Sequence, residues 1–238
     1  MPADLVAAVF DMDGVLIDSH PTHRAAWLEF LLSVGITPST PELDFILEGR
    51  TRTEILQHFL GERPETELQE YGRRKDEIFR RLERHIKLAP GVREFLAQLE
   101  RLGIRRAIAT SASEIRTAST IERLGLGGFF DAVVTAADVR AGKPDPEVYQ
   151  IACSRMNVLP QFALAFDDAP AGVIAARSAG LRCIGVTSNG GRDALLAAGA
   201  EAVITGFPNY TWRRTDDGPI IEFRRNEAGK PRPARSAE

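Results

Sequence analysis

Two aspartates stand two residues apart at the end of an apolar run: Leu5 to Phe10 leads into Asp11, Met12, Asp13 and Gly14. Small and branched apolar residues in a short run suit a buried strand, and open parallel sheets bind ligands outside the carboxyl ends of their strands. Further along, apolar runs end near Thr110 and Ser111, near the loop carrying Lys143, and at the pair Asp167-Asp168. At one sheet edge these acids would repel, because two unit charges about 4 Å apart cost on the order of 4 kcal/mol at an effective dielectric of 20. A cation must therefore sit among them. Oxygen donors with no His or Cys nearby suit a hard ion, and Mg2+ is the expected one, since it accepts few carboxylates and keeps waters or substrate oxygens. Such a site suits a phosphoryl group, with Asp11 as nucleophile and Asp13 as the group that gives and takes protons. The Asp-Met-Asp-Gly stretch also suits a plain turn.

The elements that must position these groups follow a regular order. After the first strand the chain turns helical from about His20 to Lys87, with no convincing strand in between. Ala26, Trp27, Phe30, Leu31 and Val34 recur at helical spacing and Gly35 closes that helix. Thr51 caps a shorter helix carrying Ile55, Leu56 and Phe59, and Glu65 to Lys87 reads as a long helix with Leu68, Tyr71, Ile78, Phe79 and Leu82 inward. From Ala89-Pro90-Gly91 onward, helix and strand alternate. The strands fall at 106–110, 132–135, 162–166, 182–186 and 202–204, and the helices between them at 92–102, 114–124, 146–156, 171–179 and 192–198. That rhythm predicts right-handed crossovers, a parallel sheet and helices on both faces. Residues 1–17 and 89–206 then form a discontinuous α/β core, 18–88 an inserted all-helical unit, and 207–238 a hairpin turning at Asp216-Asp217-Gly218 followed by a mobile tail.

Composition bounds the partners. The chain has 238 residues, 44% hydrophobic and 26% charged, enough for one large domain or two modest ones. A net charge of −3 opposes general nucleic-acid binding, which needs a positive field. The cluster Arg73, Arg74, Lys75 reads as a solvated helix face. No apolar run reaches the roughly 20 residues a membrane span needs, and the N-terminus has no basic stretch leading into an apolar one. The expectation is a cytoplasmic protein, monomeric or weakly dimeric, with a small-molecule partner and neither nucleic acid nor membrane. Cys153 and Cys183 suit neither a disulfide framework nor a metal quartet and read as small buried hydrophobes.

The ordered set FDMDGVLIDS, IATSAS, AGKPDPEVY and FDDAPAGVIAARSAG resembles the motifs of the haloacid dehalogenase superfamily, in its β-phosphoglucomutase-like and phosphoglycolate-phosphatase-like branch, over roughly Leu5 to Thr187. The resemblance implies a Rossmann-like three-layer core with a helical cap. It also implies Asp11 as nucleophile, Asp13 as general acid and base, and Thr110, Ser111 and Lys143 as phosphate-binding groups. Mg2+ would be held by Asp11, Asp168, Asp167 and the backbone carbonyl of Asp13, with Asp167, shorter than the glutamate of many relatives, bonding a metal-bound water. Asp13 argues for phosphate esters, because dehalogenases of this superfamily lack that second acid.

In the cap, His23, Gly49, Arg52 and Lys75 fall where β-phosphoglucomutases carry closure and substrate-phosphate residues. Glu114 stands where those mutases tend to have basic and amide residues, and an acid there opposes a second phosphate. His23 also suits a surface or packing role. The expected activity is Mg2+-dependent hydrolysis of a small phosphorylated metabolite, a sugar or polyol phosphate, through an aspartyl-phosphate. The alternatives are a β-phosphoglucomutase-type isomerase and a phosphometabolite-binding protein without turnover. The linkers at Val15 to Ser19 and Ala89 to Gly91 are the expected hinge.

Overall fold

All four residues of β1 (Ala7–Phe10) are shut off from solvent, as a strand with neighbours on both edges and helices on both faces requires. The computed structural model describes residues 5–46, 52–187, 191–208, 210–215 and 218–225. After β1 the chain runs into four helices, α1 (His20–Ser33), α2 (Thr40–Phe45), α3 (Arg52–Leu60) and α4 (Glu65–Leu82). Trp27, Phe30, Leu31, Ile46, Ile55, Leu56 and Leu68 give these helices a hydrophobic cluster separate from those of the sheet. Each such side chain contributes about 1.5–3 kcal/mol when fully buried.

Two differences from the expected pattern appear here. The helix from Glu65 stops at Leu82 and tightens into a 3₁₀ turn at Glu83–His85. The short α2 went unseen, because six residues are too few to display a period. Thr51, the expected cap of α3, and Gly49 lie outside the described residues.

The remaining helices and strands alternate as expected: α5 (Val92–Arg101), β2 (Arg105–Ala109), α6 (Glu114–Arg123), β3 (Ala132–Val134), α7 (Glu147–Arg155), β4 (Ala163–Asp167), α8 (Pro170–Ser178), β5 (Arg182–Val186), α9 (Arg192–Ala197) and β6 (Ala202–Ile204). The sheet order is β3-β2-β1-β4-β5-β6, every pairing parallel. Strand order reverses between β1 and β4, and at such a switch point a crevice opens at the carboxyl edge. A separate antiparallel hairpin, β7 (Tyr210–Thr215) and β8 (Gly218–Arg225), matches the expected one; Asp216, Asp217 and the tail from 226 lie outside the described residues.

The two sheet faces are packed differently. One carries Phe10 stacked on Phe166 at 4.9 Å, with Phe95 and Phe207 against both. The other is built from Ala7, Val9, Ala107, Ala109, Ala163 and Ala165, small enough to admit the ring of Tyr149 from α7. Asp11 continues the period of Ala7 and Val9 and so emerges on the Tyr149 side.

The chain leaves and re-enters this core through paired segments. Asp18 N–H donates to Lys87 O at 3.0 Å, and Ala89 N–H donates to Leu16 O at 2.9 Å. Ile17 and Leu88 form an antiparallel bridge between them.

Candidate active site

The carboxyl ends of β1, β2 and β4 converge on a cavity of about 470 Å3, walled on its far side by α1, α3 and α4. Its lining includes Asp11, Asp13, Thr110, Ser111, Lys143, Asp167 and Asp168, together with His23, Arg52 and Lys75, so ten of the eleven expected site residues meet in one space. Gly49 is the exception, outside the described residues.

Lys143 is the electrostatic centre. Its Nζ donates to Asp11 Oδ1 and Asp167 Oδ2, each at 2.7 Å, from a largely buried position. These two anions outweigh burial and raise the Lys143 pKa, so it stays charged. Asp167 has donors on both oxygens: Oδ2 also accepts from the Tyr149 hydroxyl at 2.6 Å, and Oδ1 accepts from Ala169 N–H at 3.0 Å. Burial raises Asp11 to about 8; Lys143 works against this, and Asp167, Asp168 and Asp13 add to it. Asp168 is raised as well, first by burial. One lysine is too little positive charge for this carboxylate cluster.

Two glycines make the cluster possible. A Cβ at Gly14, where φ is +71°, would lie 2.0 Å from Asp168 Oδ2. A Cβ at Gly172, in the first turn of α8, would lie 2.0 Å from the carboxyl atoms of Asp167. Pro170 sets the start of that helix, where a missing N–H costs nothing.

Asp13 has a different setting. Arg116 grips it with two hydrogen bonds, at 2.7 Å to Oδ2 and 2.5 Å to Oδ1, and His23 Nε2 stands 3.6 Å from Oδ1. Burial alone would raise its pKa, but Arg116 and His23 prevail and hold it well below the carboxylate range. Arg116 reaches this place because Ser113 caps α6, its hydroxyl oxygen accepting from the Arg116 N–H. Thr110, buried at the end of β2, accepts from Ala112 N–H through its hydroxyl oxygen, which leaves the hydroxyl hydrogen to donate.

Several expectations change. Lys75 is buried, not a wet face: it lies 5.3 Å from the Trp27 ring and 5.1 Å from the Phe79 ring, with only Arg73 of that cluster exposed. Burial lowers its pKa. Glu114 is exposed in the first turn of α6, where a negative charge suits the helix dipole, and it does not line the cavity. The cavity receives Arg116 instead. A histidine also joins the acids after all, His20 Nε2 lying 2.7 Å from Asp168 Oδ2, and that carboxylate raises the His20 pKa. Arg116, His20 and Tyr149 escaped the sequence reading. The signal for Arg116 was its place in the first turn after a strand ending in Thr110.

Among the described residues no three His, Cys, Asp or Glu side chains form a ready-made metal cluster. The donor set nevertheless fits a hard divalent cation, because Asp11 and Asp168 offer carboxylate oxygens in a cluster short of positive charge, and Mg2+ completes its shell with waters and substrate oxygens.

A parallel sheet with this strand order and an acidic, lysine-bridged centre at its switch point defines a Rossmann-like α/β enzyme. Residues 8–186 match the model of the haloacid dehalogenase-like hydrolases. The chain is 38% identical to the phosphorylated carbohydrates phosphatase of Thermotoga maritima, over 83% of this chain and 93% of that one. It is 30% identical to the β-phosphoglucomutase of Bacillus subtilis, over 76% and 82% of the two chains. CbbY from Rhodobacter sphaeroides, solved in complex with xylulose-(1,5)bisphosphate, superposes with a TM-score of 0.71 at 27% identity, covering 85% of this chain and 95% of that one. The chain belongs to the haloacid dehalogenase-like hydrolase family.

Proposed function

We propose that this enzyme is a Mg2+-dependent phosphatase of small phosphorylated carbohydrates, sugar or polyol phosphates, acting through an aspartyl-phosphate on Asp11. One observation carries the reading: a buried carboxylate, Asp11, faces the cavity beside Lys143 and Thr110, with a second acid, Asp13, two residues away. The Thermotoga relative, a phosphatase of phosphorylated carbohydrates, supports the substrate class. A cavity of about 470 Å3 suits a small sugar phosphate.

In the first half-reaction an Asp11 carboxylate oxygen bonds to phosphorus as the ester P–O bond breaks. The leaving oxygen departs as an alcohol with a proton from Asp13, which takes that proton from solvent once Arg116 no longer holds both of its oxygens. In the second, water attacks the phosphorus of the acyl phosphate and gives a proton to Asp13, which releases inorganic phosphate and restores Asp11. Lys143 and the Thr110 hydroxyl neutralise and orient the phosphoryl oxygens. Asp167, with donors on both oxygens and Lys143 among them, holds Lys143 in place and meets the metal through a bound water. Mg2+, held by Asp11, Asp168 and the Asp13 carbonyl, supplies Lewis-acid charge to the phosphoryl group when bound. The helices 18–88 act as a cap over the core formed by 1–17 and 89–206, and His23, Arg52 and Lys75 are the cap's substrate-facing groups.

The mutase reading is favoured by the Bacillus relative and by two cap cations, Arg52 and Lys75, in the cavity wall. A panel of sugar, polyol and other small phosphates, incubated with Mg2+ and enzyme, decides. Phosphate release that vanishes in Asp11→Asn supports the phosphatase. Glucose 6-phosphate appearing from β-glucose 1-phosphate faster than free phosphate would replace it with the mutase, and ligand binding without turnover would replace both.

A further inference from the structure

Arg116 holds Asp13 in a grip that proton transfer must open. With both oxygens accepting from one guanidinium, Asp13 has no oxygen well placed to carry a proton towards a leaving group. The same guanidinium has a donor to spare, for its Nε is buried without a hydrogen bond. Glu83 Oε2 is equally buried and unbonded, 3.9 Å from that Nε. A buried donor and acceptor that face one another beyond bonding distance both carry a desolvation penalty. A short movement of Arg116 away from Asp13 would satisfy the two together.

The surroundings permit that movement. The Arg116 guanidinium carbon lies 4.5 Å from the centroid of the Phe79 ring, a contact that depends on charge and ring face more than on fixed donor geometry. Phe79 and Glu83 are four residues apart at the end of α4, so the helical unit presents ring and acceptor in a row. Arg116 and Asp13 belong to the sheet side. Lys75 and His23 also lie against the Phe79 ring, at 5.1 Å and 4.3 Å from its centroid.

We propose that Arg116 is a positioning residue that passes from Asp13 to Glu83 when substrate fills the cavity, which frees the Asp13 carboxylate to take a proton from solvent and pass it to the leaving oxygen, and that it returns when product leaves and Asp13 has given the proton of the attacking water back to solvent. The proposal rests on the phosphatase reading above. It assigns Glu83, outside every motif of the sequence, a part in the reaction.

Leaving-group dependence tests it. p-Nitrophenyl phosphate expels a stable phenolate that needs no proton, whereas an alkyl phosphate expels an alkoxide that does. Phosphate release is measured from p-nitrophenyl phosphate and from whichever of glucose 6-phosphate, sorbitol 6-phosphate or glycerol 2-phosphate the wild type turns over fastest. Glu83→Gln lowers the alkyl-to-aryl kcat ratio by about tenfold or more, within the span of general-acid contributions. In an Arg116→Ala background, where no guanidinium grips Asp13, Glu83→Gln leaves the ratio alone. Equal losses on both substrates, or a Glu83→Gln effect that persists without Arg116, overturn the proposal. Arg116→Lys, which cannot form the fork, serves as a second variant should Glu83→Gln not fold. It raises the ratio, and an unchanged or lowered ratio overturns the proposal again. A wild type that hydrolyses neither kind of ester refutes the phosphatase reading itself, a separate outcome.

Discussion

Tyr149 donates its phenolic hydrogen to Asp167 Oδ2 at 2.6 Å from a position with no solvent exposure, one of three donors that satisfy this buried acid. Burial, with Asp167 and other nearby anions, raises the Tyr149 pKa, so the phenol keeps its proton to donate. Tyr149→Phe keeps the ring and removes the donor. Hydrogen bonds to charged groups contribute about 1.5–3 kcal/mol, so urea unfolding should report a stability loss of about that size. An unchanged midpoint would mean that Asp167 finds another donor.

Gly172→Ala tests how closely α8 approaches the acids. Its Cβ would overlap the Asp167 carboxyl group and push it, with Lys143, away from Asp11. A displacement near 1 Å in such a site costs on the order of 100-fold in rate. The variant should therefore fold but lose about that factor in kcat; near-wild-type turnover would show that Lys143 tolerates the shift.

Asp168 has a single described hydrogen-bond partner, His20, feels the charge of Lys143 as well, and is a ligand of the proposed cation. Removing Mg2+ with EDTA should stop phosphate release and restoring Mg2+ should revive it. Asp168→Asn should raise the Mg2+ Kd at least about tenfold in calorimetric titration. Equal Kd values in the two proteins would remove Asp168 from the metal site.

The cysteines give a pH-dependent handle away from the site. Both are buried as expected; burial lifts the Cys153 thiol to about 11 and the Cys183 thiol further. Because folding raises these acids above the ordinary value of 9.0, their contribution to stability is fully present below that pH. It is lost as pH climbs through about 11. At pH 8 the native protein should therefore resist a thiol reagent that labels both cysteines once urea is added. Rapid native labelling would contradict their burial.

The sheet was legible because its strands are short apolar runs bounded by polar ends, and the acids that line the site are those bounding residues. Strand limits shifted by one or two residues, as for β2, which begins at Arg105, and β1, which begins at Ala7. What escaped was set by distance in space. Arg116 meets Asp13 across 103 residues, and no local pattern encodes that contact. Lys75 shows the opposite case. Leu68, Gly72, Lys75 and Phe79 are the buried stripe of α4, spaced four, three and four residues apart, so the inward turn of Lys75 was written in the period. Its neighbours Arg73 and Arg74 masked it, since consecutive residues on a helix point about 100° apart. Gly72 in the same stripe leaves room for the Arg52 side chain, which lies where a Cβ would be.

The paired segments at 16–18 and 87–89 constrain how the helical unit can travel. Two strands bonded edge to edge bend together across their width, but twisting or sliding one past the other breaks the bonds between Leu16 and Ala89 and between Asp18 and Lys87. A hinge at these segments that kept both bonds would bend and would not slide. Such a bend would carry Phe79 and Glu83 together relative to Arg116, since both sit at the end of α4.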